Sequence, residues 1–277
     1  MARADPAARF LVNGAPGGCI DPADRGLCLG DGLFETMAVR AGRVRFWGRH
    51  MERLARGCSA LSLPAPDAEV LAAERDRLVG ESGTGSLRLT LTRGPGPRGY
   101  ALPAEPAPTR VLAFHPGPPP AAGDPLRLRW CDTRLGIQPR LAGLKHLGRL
   151  EQILARAEWN DPCIDEGVMQ AVDGRVIECT ASNLFLVLDG RLVTPALVDC
   201  GVAGVVRGVV LETAARAGLE TTVRDLSPGE VGRATEAFVT NAARGVAPVG
   251  TIGERAFPGR GPVTSALEQE IDWAECA

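Results

Sequence analysis

The chain has 277 residues, 45% of them hydrophobic and 23% charged, with a formal net charge of −2. That balance is the globular norm and excludes a disordered or fibrous chain. A charge so close to zero gives no electrostatic reason to expect nucleic acid or a membrane surface as partner. The length allows two domains and the burial of roughly three quarters of the unfolded surface, without a disulfide or metal staple.

The first ten residues, MARADPAARF, lack an apolar signal core, and residues 9–13 read as a first strand. From Glu35 to Trp47 the pattern alternates around Ala41-Gly42, as in a hairpin. Met51, Leu54, Cys58 and Leu61 recur at helical spacing and predict a helix over about 48–62. A second helix is expected over 67–80, then strands at 86–92 and 110–115. The segment 115–125 (HPGPPPAAGDP) has five prolines in 11 residues and no periodicity, and so marks a domain boundary. The expected division is a small N-terminal α+β domain over 1–116, a linker over 117–122, and a larger C-terminal domain over 123–277.

Beyond the linker a strand is expected at 126–131. Leu147, Leu150, Leu154 and Ala157 then predict a helix with Lys145 at its start. Asp173-Gly174 and Asp189-Gly190 read as hairpin turns joining strands near 167–172, 175–179, 183–188 and 191–194. A helix over 205–217, strands near 220–225 and 236–240, and a helix near 263–274 complete an α+β fold with mixed sheets. The eight cysteines, at 19, 28, 58, 131, 163, 179, 200 and 276, share no spacing and read as reduced thiols of a cytoplasmic protein. With three histidines, a His-based zinc site is not expected.

Lysine and arginine together number 31, yet Lys145 is the only lysine. A coding habit that favours arginine can replace lysine wherever either cation serves, but not where a primary amine must lose its proton. At a helix start the amine would meet unpaired N–H groups and the positive dipole end, which favour its neutral, nucleophilic form. A solvated helix-cap lysine satisfies the same local pattern. Glu178 follows the apolar pair Val176 and Ile177, as a buried carboxylate would, although a strand-end glutamate can also face solvent.

Seven segments, in order along the chain, carry a resemblance to a known family: 24–44 (DRGLCLGDGLFETMAVRAGRV), 50–54 (HMERL), 91–100 (LTRGPGPRGY), 143–159 (GLKHLGRLEQILARAEW), 176–187 (VIECTASNLFLV), 200–212 (CGVAGVVRGVVLE) and 238–249 (FVTNAARGVAPV). Together the chain resembles the class IV (fold-type IV) pyridoxal-phosphate-dependent aminotransferase family, which contains branched-chain and D-amino-acid transaminases and a lyase branch. The resemblance implies a two-domain α+β fold, pyridoxal 5′-phosphate as cofactor, and a homodimer with the active site near the subunit interface.

By the same resemblance, Lys145 would link to the cofactor and then serve as acid and base, and Glu178 would pair with the pyridine nitrogen. Arg53 and the main chain of Val205 and Val206 would bind phosphate, Val202 would pack on the ring, and Asn241, Ala242 and Ala243 would close the phosphate side. Arg98 and Tyr100 would reach toward a substrate carboxylate from the partner subunit, with Ala243 also near substrate; an incidental Gly/Pro loop is the other reading of that segment. The wording of 144–152 and 201–207 most resembles the lyase branch, which implies conversion of 4-amino-4-deoxychorismate to 4-aminobenzoate and pyruvate. A branched-chain or D-amino-acid transaminase is the alternative. Gly148 and Cys179 depart from the family's usual asparagine and glycine.

Overall fold

The computed structural model describes residues 9–118 and 124–275. Most of the expected linker, and Cys276, lie outside those residues. The chain divides into two compact units: Met1–Pro119 with Lys145–Gly148 and Trp273–Ala277, and Pro120–Leu144 with Arg149–Asp272.

The first unit runs β1 (Arg9–Val12), β2 (Ala15–Pro16), α1 (Arg25–Leu29), β3 (Gly32–Arg40), β4 (Arg43–Val44), α2 (Trp47–Ala60), α3 (Ala68–Val79), β5 (Gly85–Thr92) and β6 (Thr109–Pro116). Its strands form one antiparallel sheet in the order β2-β1-β6-β5-β3-β4. Met37, Leu87, Leu89 and Leu112 are fully buried, and Leu54, Cys58, Leu71 and Leu78 of the two long helices join the same core. The helical spacing of Leu54 and Cys58 thus marks the face that buries. Asp67 caps α3 by accepting from the Glu69 and Val70 N–H groups.

The second unit contains β7 (Leu126–Trp130), α4 (Leu150–Arg156), β8 (Glu166–Gln170), β9 (Val176–Cys179), β10 (Asn183–Leu188), β11 (Arg191–Pro195), α5 (Val205–Arg216), β12 (Thr221–Arg224), α6 (Pro228–Arg233), β13 (Glu236–Asn241), β14 (Gly245–Ile252), β15 (Arg255–Ala256) and α7 (Pro262–Glu270). Its sheet is mixed, in the order β12-β11-β10-β13-β14-β7-β8-β9, with β15 paired to β14. The parallel pairs are β11/β12, β14/β7 and β7/β8. Asp189 and Gly190 both have positive φ, which the tight β10–β11 turn requires. The architecture is α+β.

Two expectations need correction. Lys145 does not start a helix: α4 begins at Leu150 behind an Arg149 cap. Residues 145–147 instead extend along β3, with Phe34 N donating to Lys145 O at 2.9 Å and Leu147 N donating to Gly32 O at 2.9 Å. Those bonds commit the backbone to an extended form, and they group Lys145–Gly148 with the first unit rather than with a C-terminal domain. Gly32 makes the approach possible, since a Cβ there would lie 2.9 Å from Leu147 Cδ1 and 2.4 Å from Leu91 O. The apolar spacing after Lys145 is real but faces outward, with Leu150 74%, Ile153 60% and Leu154 60% exposed. The C-terminal helix also ends early, at Glu270. The chain then returns to the first unit, where Phe46 N donates to Glu275 O at 2.8 Å.

Candidate active site

In the first unit the Lys145 amine lies 4.4 Å from the centre of the Phe34 ring, a cation–π distance that orients the side chain over the start of β3. One residue further along β3 stands Glu35, which is 1% exposed. Arg53, expected to be the phosphate cation, forks onto it: Nε donates to Glu35 Oε1 at 2.8 Å and Nη2 donates to Oε2. His50, one helical turn before Arg53, places Nδ1 2.6 Å from Glu35 Oε2.

Burial alone would raise the Glu35 carboxyl, but the hydrogen bonds from His50 and Arg53 and the Arg53 charge hold it below its ordinary value. Burial lowers the His50 pKa against the pull of Glu35. A neutral ring suits the site, because His50 Nε2 is buried with no hydrogen-bond partner and a proton there would be stranded. His50 then donates from Nδ1. Sequence reasoning missed both Glu35 and His50, although the three-residue spacing of His50 and Arg53 on one helix face was a usable signal.

The segment holding Arg98 and Tyr100 belongs to the same unit. Both side chains are exposed, Tyr100 at 87%. Their backbone, by contrast, is tied down by Arg25, another residue that the sequence did not single out. Arg25 Nη1 donates to Gly99 O at 3.1 Å and Ala101 O at 3.2 Å, while its Nε donates to Asp31 at 2.9 Å. Asp31 also takes two bonds from Arg93, and these cations together hold its carboxyl below the usual value against a burial effect that raises it.

In the second unit Glu178 lies on β9, 4% exposed, and its Oε2 accepts from Val202 N at 2.8 Å. Glu178 and Val202 are therefore brought together as expected residues of one site. Burial lowers the pKa of Arg149 and of Arg207, and the Glu178 charge opposes that shift in both, so the carboxylate lies in the field of two guanidiniums. After Val202 the chain passes through Gly204 into α5, where Val205 and Val206 have buried side chains and supply the helix's first N–H groups. Such groups have no intrahelical acceptor, and together with the helix dipole they favour an anion. Asn241, at the end of β13, accepts from Ala243 N at 3.1 Å and Arg244 N at 2.8 Å, which folds 241–244 into a compact turn holding Ala242 and Ala243.

Residues 32–252 match the amino-transferase class IV family, and the chain belongs to that family. Its cofactor is pyridoxal 5′-phosphate. Among individual relatives, the chain is 35% identical to the aminodeoxychorismate lyase of Vibrio harveyi, over 95% of this chain and 94% of that one. It is 29% identical to a putative branched-chain-amino-acid aminotransferase of Methanocaldococcus jannaschii, over 90% and 88%. The solved structure of 4-amino-4-deoxychorismate lyase from Pseudomonas aeruginosa superposes with a TM-score of 0.88 at 46% identity, covering 94% of this chain and 97% of that one.

Proposed function

We propose that this chain converts 4-amino-4-deoxychorismate to 4-aminobenzoate and pyruvate. The observation that carries the reading is the 46% identity to the Pseudomonas lyase across nearly the whole of both chains, well above the 29% shared with the aminotransferase relative. The residues present fit the family's cofactor: a primary amine at Lys145, a buried carboxylate at Glu178, a buried guanidinium at Arg53 and the open N-terminus of α5. Pyridoxal phosphate, when bound, supplies a carbonyl for amines and a ring that draws electrons from the bond being broken.

In this reading Lys145 holds the cofactor through its amine and afterwards moves the proton beside the substrate nitrogen. Glu178, fixed by the Val202 N–H, keeps a proton on the ring nitrogen. Val205 and Val206 N–H groups and Arg53 bind the phosphate, with Glu35 fixing the guanidinium. Val202 packs on the ring, while Asn241 and Ala242 close the phosphate side. Arg98 and Tyr100, with Ala243, hold substrate carboxylates by charge and hydrogen bond.

A homodimer is part of the proposal, supported by the exposed side chains of Tyr100, Leu150, Ile153 and Leu154, which a second copy would cover. A cytoplasmic location is part of it too. Among the described residues no helix is long and apolar enough to cross a membrane. The test of the cofactor assignment is borohydride reduction followed by peptide mapping. The label is expected on Lys145 and absent from Lys145→Arg, and a pyridoxyl label retained by the variant would overturn the assignment.

A further inference from the structure

Ser182 and Asn183 are adjacent, and their side chains tie down two different loops. Asn183 Nδ2 donates to Val202 O at 2.8 Å, and Asn183 Oδ1 accepts from Gly204 N at 3.1 Å. One side-chain amide thereby brackets the turn that enters α5. The approach is close enough that a Cβ on Gly204 would lie 2.1 Å from Asn183 Oδ1. Ser182 Oγ donates to Glu166 Oε2 at 2.8 Å and accepts from Asn241 Nδ2 at 3.0 Å. Asn241 is the residue whose Oδ1 shapes the 241–244 turn.

The backbone makes the link rigid. Asn183 pairs with Thr240 across β10 and β13, so the start of β10 that carries the anchoring side chains and the 241–243 turn that leaves β13 share one ladder in fixed register. The base is rigid as well, since Glu166 on β8 also accepts from Ala181 N at 2.6 Å. Main-chain N–H groups bind an anion well only when they already point at it, because a loop that must be ordered on binding loses that much affinity.

We propose that Ser182 and Asn183 are positioning residues that hold the 202–206 and 241–243 loops as one anion cradle and so set the affinity for the phosphate end of the cofactor. Neither side chain has to touch the phosphate. The inference rests on the phosphate assignment made above, and its test separates the two.

The full chain, stripped of cofactor, is titrated with pyridoxal 5′-phosphate and with pyridoxal, which lacks the phosphate, using tryptophan fluorescence. The wild type is expected to prefer the phosphorylated aldehyde. Asn183→Ala is expected to weaken pyridoxal phosphate about tenfold or more, the loss of one or two fixing hydrogen bonds, while pyridoxal stays within about twofold. Ser182→Ala removes a single hydroxyl and should lower the same preference, and it supplies the readout if Asn183→Ala does not fold. A general structural defect would weaken both aldehydes alike, and that result, or an unchanged preference in both variants, overturns the positioning role. A wild type that binds the two aldehydes equally overturns the phosphate assignment itself, and the inference with it.

Discussion

Glu35 in the first unit and Glu166 in the second are both strand carboxyls almost withdrawn from water, at 1% and 5% exposure, and burial raises the pKa of each, yet their net shifts are opposite. Glu35 meets a guanidinium fork and an imidazole, and its pKa is lowered. Glu166 meets the Ala181 N–H and the Ser182 hydroxyl, and burial, the larger effect, raises its pKa. Full positive charge within hydrogen-bond distance overcomes desolvation, whereas neutral donors of similar geometry do not. The first arrangement keeps an ion in place, and with it the orientation of Arg53. The second accommodates a carboxyl that can be neutral, which serves as a fixed base for the Ser182 and Asn241 side chains.

Breaking the first arrangement should cost most. Glu35→Gln leaves Arg53 buried without its counter-charge and should lower stability by about 3–5 kcal/mol, read by urea denaturation. A cost under about 1 kcal/mol would show that the fork is not a desolvated ion pair. The double variant Glu35→Gln, Arg53→Met removes both charges together. It should recover more than half of that loss, because the uncompensated charge rather than the missing contact dominates.

Glu166→Gln should be the mild counterpart, within about 1 kcal/mol of wild type at neutral pH, since an amide oxygen can still accept from Ala181 N. The same four-way comparison of Glu35, Glu166 and their variants sharpens with pH. The His50 pKa is lowered from 6.5, so below that value the unfolded chain takes a proton that the folded chain refuses. Stability therefore falls as the pH drops through about 6.5, and Glu35 adds a loss of the same sign below 4.5.

Glu166 runs the other way. Its folded pKa lies above 4.5, so as pH rises from there the folded chain retains a proton that the unfolded chain has released, and stability is lost through the folded value. Glu166→Gln should accordingly gain on wild type in thermal midpoint as the pH is raised from 4.5 toward neutrality. A gain in the opposite direction would contradict the neutral-carboxyl assignment.

The same contrast explains what the sequence could disclose. The Ala41-Gly42 and Asp189-Gly190 turns, the Leu54 and Cys58 face of α2 and the helix after Gly204 were legible because local spacing and backbone conformation decide them. The start of α4 was misread because two long-range hydrogen bonds to β3 override a valid helical period. Strand β14 and helices α1 and α6 were not anticipated, and their short or weakly patterned sequences offer little periodicity to read.

Of the residues proposed for the site, Lys145 and Glu178 could be picked out from composition and resemblance. Glu35 with His50, Arg25 with the 99–101 carbonyls, and Asn183 with the 202–204 turn could not. Each of these pairings depends on residues 15 to 76 positions apart meeting only in the folded chain.

The central claim is the reaction itself, and the direct measurement is product stoichiometry with 4-amino-4-deoxychorismate as the sole substrate. A lyase leaves the nitrogen on its product and regenerates its own starting state, so 4-aminobenzoate and pyruvate should accumulate in equal amounts over many turnovers. A reaction that stops after one equivalent and resumes only when a keto acid is added would contradict the lyase assignment and establish a transaminase in its place.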